Sequence, residues 1–196
     1  MPVRQVEFGN TSITKRQGAF TVITAMAPIY ETYDQVPVET QVKDHCVAIM
    51  MNRWDGRIGF PGGNVDKGDE SLAHAAVREL REELNYLARP EDLVPLRSDV
   101  INEFITVHAF HLDLGKVPFK VIKRILSEGM KSEHVVAEGT PFAAHLENYR
   151  NGKGEINNGL IHLVNSTSLV SAVKEELIEV CVKLGIELPP GANSLR

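Results

Sequence analysis

Residues 57–86, RIGFPGGNVDKGDESLAHAAVRELREELNY, set a Gly-Gly turn a short, fixed distance ahead of an amphipathic segment. Glycines permit positive φ and close backbone approach, and residues three and four apart share one face of a helix. Glu79, Glu82 and Glu83 therefore project together, while Leu72, Ala76, Leu80 and Leu84 line another side. Carboxylates grouped in this way require a counter-charge. Mg²⁺ prefers oxygen ligands and is commonly held by a few carboxylates together with substrate phosphates, so the chemistry indicated is hydrolysis at a phosphate. Taken alone, Arg78–Glu83 suits a solvated helix with i,i+4 ion pairs equally well. The turn Phe60-Pro61-Gly62-Gly63 in front of it is what a solvated helix does not require.

Gly63, Glu70, Arg78, Glu79, Leu80, Glu82 and Glu83 resemble the Nudix box, a glycine followed by E-x7-R-E-aliphatic-x-E-E. One residue more than usual separates Gly63 from Glu70, which leaves Asp69 at the expected spacing. Asn85 stands where a glycine usually follows the glutamates, and Asn is the second choice for the left-handed residue that ends a helix. The wider stretch Arg53-Trp54-Asp55-Gly56-Arg57-Ile58-Gly59-Phe60-Pro61-Gly62-Gly63, followed by Val65-Asp66, resembles the Nudix branch of snoRNA-decapping enzymes and inosine diphosphatases, which carries the same expansion.

The resemblance implies an α/β/α Nudix sandwich with a mixed β-sheet and Mg²⁺ or Mn²⁺ held by Glu79, Glu82, Glu83 and the Gly63 carbonyl. It further implies that Arg78 orients a glutamate and that the general base is Glu79, Glu133 or Glu138, a choice the sequence leaves open. Arg53 matches a substrate-contacting position, Trp54 beside it can stack on a base or pack at the rim, and Glu176 and Glu179 fall at positions resembling those that read the purine. Thr24 stands where the branch has a histidine against the purine, so inosine specificity does not carry over. The activity implied is cleavage of a phosphoanhydride in a nucleoside diphosphate linked to a group X, with nucleoside diphosphates or capped RNA ends as substrates. ADP-ribose or dinucleotide pyrophosphatase activity is the enzymatic alternative. RNA binding or scaffolding without turnover is the alternative of another class, and the intact glutamates argue against it. A homodimer is implied by the family alone.

The length of 196 residues suits a single Nudix domain over 1–196. A net charge of −5 gives no global attraction to nucleic acid. Cys46 and Cys181, both in apolar surroundings, read as buried thiols of a reducing compartment. No signal-like or membrane-length apolar run is present, so a soluble intracellular protein of cytoplasm or nucleus is expected.

Patterning predicts strands over Phe20–Ala27, His45–Met51, Arg57–Phe60, Ile101–Leu112 and Val135–Phe142. It predicts helices over Glu70–Leu84, Phe119–Met130 and Ser168–Leu184, and an exposed loop over Arg150–Gly159. Lys116, Lys120, Lys123, Arg124 and Lys131 form either a stripe for RNA backbone or the wet face of a helix. His108 and His111, three apart on a strand, point to opposite faces and do not suit zinc.

Overall fold

The computed structural model describes residues 3–28, 44–150 and 156–188, with only the backbone described at 148–150 and 156–158. The strands are β1 (Val3–Val6), β2 (Arg16–Pro28), β3 (Asp44–Asn52), β4 (Ile58–Gly59), β5 (Gly62–Asn64), β6 (Val94–Ile101), β7 (Ile105–Lys116), β8 (Thr140–His145), β9 (Asn148–Arg150) and β10 (Ile156–Asn158). The helices are α1 (Leu72–Leu84), α2 (Phe119–Gly129), a single turn α3 (Val135–Glu138), α4 (Gly159–Val164) and α5 (Val173–Lys183).

The main sheet is mixed. β2 runs parallel to β7 and antiparallel to β3 and, further along the same edge, to β5. β6 and then β1 extend the sheet beyond β7, and β8 flanks β3. Alternation along β2 and β3 sends side chains to two separate cores. Val22, Cys46, Ala48 and Met50 pack with Leu163 of α4 and Leu177 of α5. Ile23, Ile49 and Met51 pack with Ala76 and Leu80 of α1 and Ile125 of α2. Helices on both faces of one mixed sheet make an α/β/α sandwich, as the resemblance implies.

α1 begins where the Ser71 hydroxyl accepts from the His74 amide at 3.3 Å, a side-chain cap for an otherwise orphaned donor. It ends at Asn85, left-handed at φ 49°. There the Asn85 N–H reaches the Arg81 carbonyl and the Tyr86 N–H reaches that of Leu80, so asparagine closes the helix in place of glycine.

Four expectations are corrected. Val135–Glu138 is a helical turn and only Thr140–His145 is strand; its carbonyls bond within the turn, and Gly139 at φ 116° resets the chain direction. The run expected over Ile101–Leu112 is broken by a tight turn, with Asn102 and Glu103 at positive φ, which pairs β7 with the unanticipated β6. Arg150–Gly159 is no simple loop: β9 and β10 pair at its ends and Gly159 opens α4, while 151–155 lie outside the described residues. The final helix begins at Val173, five residues later than expected. Among the described residues no helix is long and apolar enough to cross a membrane.

Candidate active site

α1 turns two of its acids inward. Glu79 and Glu83, one turn apart, are buried with Ala76 and Leu80, and Glu83 is only 4% exposed. The Glu83 carboxylate accepts the Gly62 N–H at 2.7 Å. Gly62, at φ 144°, lies against the backbone of Ala19 and Phe20, where a Cβ has no room. Gly63, opposite Ala19 in β5, brings its backbone under the Glu79 carboxylate, and a side chain there would place Cβ 2.5 Å from Glu79 Oε1. The Gly-Gly pair is thus needed for close approach between strand and helix.

One guanidinium organises the acids. Arg78 donates to Glu79 at 2.8 Å and Glu82 at 3.2 Å, to both oxygens of Asp69 at 3.1 Å, and to the Asn64 carbonyl at 2.8 Å. Asp69, not Glu70, therefore fills the first acidic position of the box. Glu70 is exposed beside His74. The Arg78 contacts hold the Asp69 carboxyl below the usual carboxylate range. The spacing that leaves Asp69 in register was the available signal for this role.

Burial dominates the remaining acids. It pushes Glu79 up against the opposing pull of Arg78. It pushes Glu83 up to about 8, and the neighbouring charges of Glu79 and Glu138 add to that rise. Glu138, at the end of α3, therefore faces this pair, whereas Glu133 projects into solvent at 93% exposure. Among the described residues no three histidine, cysteine, aspartate or glutamate side chains converge as a ready metal cage; Glu79 and Glu82 are drawn to Arg78 and Glu83 to Gly62. The donor set nevertheless fits a hard cation. Burial and neighbouring carboxylates raise Glu79 and Glu83 despite the pull of Arg78 on Glu79, and oxygen ligands of this kind suit Mg²⁺ or Mn²⁺.

On the opposite face of β2 lies a cleft of about 260 Å³. Phe20, Phe60, Ile105, Val107 and Val170 form its apolar walls, with Arg53, Arg57 and Glu176 as its charged lining. Arg57 donates through Nε and Nη2 to one oxygen of Asp55, at 2.9 and 2.6 Å, and Arg53 stands 3.8 Å from the same carboxylate. Glu176 is 3% exposed. Ala172, at the start of α5 between the lining residues Ser171 and Val173, is held at φ 76°, a strained conformation for a residue with a Cβ.

Two expected contacts are not brought in: Trp54 is 69% exposed and outside the cleft lining, and Glu179 turns toward Arg97 at 3.9 Å. Asp99 and Arg97 behind Glu176 went unnoticed in the sequence. Their i,i+2 spacing on one strand face was the signal, hidden because β6 was not anticipated.

A larger hollow of about 650 Å³ borders the ends of the described segments near Met26, Cys46 and Leu188 and contains no box residue. Size does not make it the active site, because the acids and the guanidinium groups lie elsewhere. Thr24 lines it, its buried hydroxyl 2.7 Å from His111 Nε2. His108 faces the other way, between Ser98 at 2.7 Å and Gln17 at 2.8 Å, and burial lowers it to about 4. Of the basic stripe, Lys116 pairs with Asp44, Lys131 with Glu128, and Lys123 lies over the Phe119 ring.

A helix of inward-turned glutamates, clamped by one arginine against a Gly-Gly strand on a mixed sheet, is the arrangement that the resemblance to the Nudix box implies. The family model described as Nudt16-like, U8 snoRNA-decapping enzyme-like, matches residues 23–109. The U8 snoRNA-decapping enzyme of Xenopus laevis is 33% identical over 103 residues, covering 52% of this chain and 46% of that protein. The mitochondrial coenzyme A diphosphatase NUDT8 of Homo sapiens is 47% identical over 45 residues, 23% of this chain and 19% of that one. The chain thus matches less than half the length of these relatives. A solved mutT/nudix family protein from Listeria innocua is 18% identical with a TM-score of 0.48, covering 88% of this chain and 95% of that one.

Proposed function

We propose that this chain is a divalent-metal-dependent Nudix hydrolase that cleaves a phosphoanhydride in a nucleoside diphosphate linked to X, with nucleoside diphosphates or capped RNA ends as substrates. The observation that carries this reading is the pair Glu79 and Glu83, buried one turn apart, each pushed up by burial with the charge of Glu138 adding to both. The match to decapping and diphosphatase relatives supports the same substrate class.

Glu79, Glu82, Glu83 and the Gly63 carbonyl would hold Mg²⁺ or Mn²⁺. When bound, the ion polarises phosphoryl oxygens and makes water more acidic. Arg78 keeps Glu79 and Glu82 oriented while cancelling part of their mutual repulsion. Arg53 and Arg57 bind a substrate phosphate at the cleft mouth, and the apolar walls receive the base. Glu138 is the proton acceptor we favour: its charge reaches Glu79 and Glu83, whereas Glu79 is already engaged by Arg78 and Glu133 faces solvent. Water attacks one phosphorus, its proton passes to Glu138, and the anhydride P–O bond breaks to release the second phosphate.

The test is a panel of nucleoside di- and triphosphates, ADP-ribose, NAD and capped RNA with Mg²⁺ or Mn²⁺, with products identified by mass. Phosphoanhydride cleavage of nucleoside diphosphates or caps is expected. Binding without turnover would overturn the catalytic reading, and turnover of ADP-ribose alone would overturn the substrate class.

A further inference from the structure

The last carbonyls of a helix have no donor within it. At the end of α1, the Tyr86 N–H that would have met the Glu82 carbonyl turns back to Leu80 at 3.1 Å. The Ser132 hydroxyl donates to the Glu82 carbonyl instead. The same hydroxyl oxygen accepts the His134 N–H at 3.1 Å, and the His134 carbonyl takes the Glu138 N–H at 2.7 Å. A run of hydrogen bonds therefore leads from the end of the acidic helix to Glu138. The turn α3 has little burial to hold it: none of its residues is buried, Val136 is 86% exposed, and an isolated helical turn does not persist in water. Its far end is fixed by Gly139, where a Cβ would stand 2.3 Å from the Asn52 carbonyl. Upstream, Gly129 lies against Pro141 and Leu84. Between these two glycines, Ser132 supplies a side-chain bond to α1, on the same residue whose carboxylate Arg78 orients.

We propose that Ser132 is a positioning residue for hydrolysis, tying the turn that carries Glu138 to the acidic helix so that the proton acceptor keeps a fixed place against Glu79 and Glu83. The proposal rests on the reading above that Glu138 accepts the proton of the attacking water. A hydroxyl suits the joint because one atom donates a hydrogen bond and accepts others. Alanine removes both bonds, and threonine keeps both. Displacing a reacting group by about 1 Å can cost about 10²-fold in rate, so this joint governs turnover without touching a reacting atom. Substrate affinity is set elsewhere, by Arg53, Arg57 and the cleft walls, and the joint leaves it alone.

The test measures two things on the full chain: steady-state turnover of nucleoside diphosphates and capped RNA with Mg²⁺, and amide hydrogen exchange without metal. Ser132→Ala should lower kcat by about tenfold with KM within about twofold of wild type. Ser132→Thr should restore kcat to within about threefold of wild type, which a variant that merely unfolds would not do. In a Glu138→Gln background, Ser132→Ala should add no further loss, because both changes act through one group. In the metal-free protein, the amides of Ala137, Glu138 and Gly139 should exchange about tenfold faster in Ser132→Ala, while those of Asn85 and Tyr86 keep their wild-type rates. Unchanged kcat or unchanged exchange in Ser132→Ala overturns the proposal, as does a loss that adds in full to that of Glu138→Gln. An active Glu138→Gln with wild-type kcat overturns the choice of proton acceptor and the role of Ser132 with it. A wild type that turns over none of these substrates overturns the hydrolase reading itself, and the exchange rates then still decide whether Ser132 holds the turn.

Discussion

Glu83 and Glu176 lie on opposite sides of β2, and burial raises both to about 8. Their neighbours differ. Glu83 accepts a backbone N–H from Gly62 and faces two further carboxylates, Glu79 and Glu138. Glu176 faces apolar walls, with the Asp99–Arg97 pair and Glu175 as the charges acting on it most. The first setting is relieved by a cation, the second by a proton. A displaced pKa therefore marks a site without naming its chemistry, and the surrounding charges do the naming.

The largest expected effect separates the two at once. Chelation should abolish turnover, and Mg²⁺ or Mn²⁺ should restore it. Full activity in chelator would remove the cation from the acidic side. Next, Glu82→Gln and Glu83→Gln should each lower kcat by roughly 10²-fold or more with the fold intact by thermal melting. Loss of activity only through unfolding would break the comparison.

Stability sharpens it further. At about a hundredfold excess over its dissociation constant, a bound ion should stabilise the protein by about 2.7 kcal/mol, in the wild type and in Glu176→Gln but not in Glu83→Gln. Melts with and without Mg²⁺ read this directly. Arg53→Ala should act more weakly still, raising KM by about tenfold at similar kcat, since it removes phosphate binding common to ground and transition states.

The smallest effect is a slope. Glu176 titrates higher in the folded protein than in the unfolded chain, so between about 4.5 and about 8 the folded state holds the additional proton. Its contribution to stability is complete below that window and is lost as pH rises through it. The melting temperature of the metal-free protein should therefore decline with rising pH across the window, and less steeply in Glu176→Gln.

The acidic side was largely legible in the sequence, because its parts lie within one turn and one helix whose spacing is local. Even Asn85 announced its left-handed role. The cleft was not, because it joins β2, the β3–β4 turn, β7 and α5, and depends on a strand, β6, whose pattern is obscured. Pro95, Arg97 and Asp99 interrupt its apolar rhythm, and the register with β7 shifts between Pro95 and Arg97. The helical turn at Val135–Glu138 was misread because two adjacent valines favour a strand locally, while Gly139 and the backbone bonds of the turn decide otherwise. Trp54 beside Arg53 shows the remaining limit: adjacency in a turn does not say which of two neighbours points inward.

β2 serves both sides of the molecule, with Ala19 opposite Gly63 beneath the box and Phe20 lining the cleft. A strand used on both faces has no spare register, since a slip of one residue exchanges every side chain between them. The linker from Asn64 to Leu72 carries no such constraint, and it is there that this chain has one residue more than the usual box. For a lineage of such proteins, length is free to drift between strand and helix, where Asp69 can take up the role left by Glu70. An insertion within Gly18–Ile23 would instead misplace the acidic helix and the cleft in a single step.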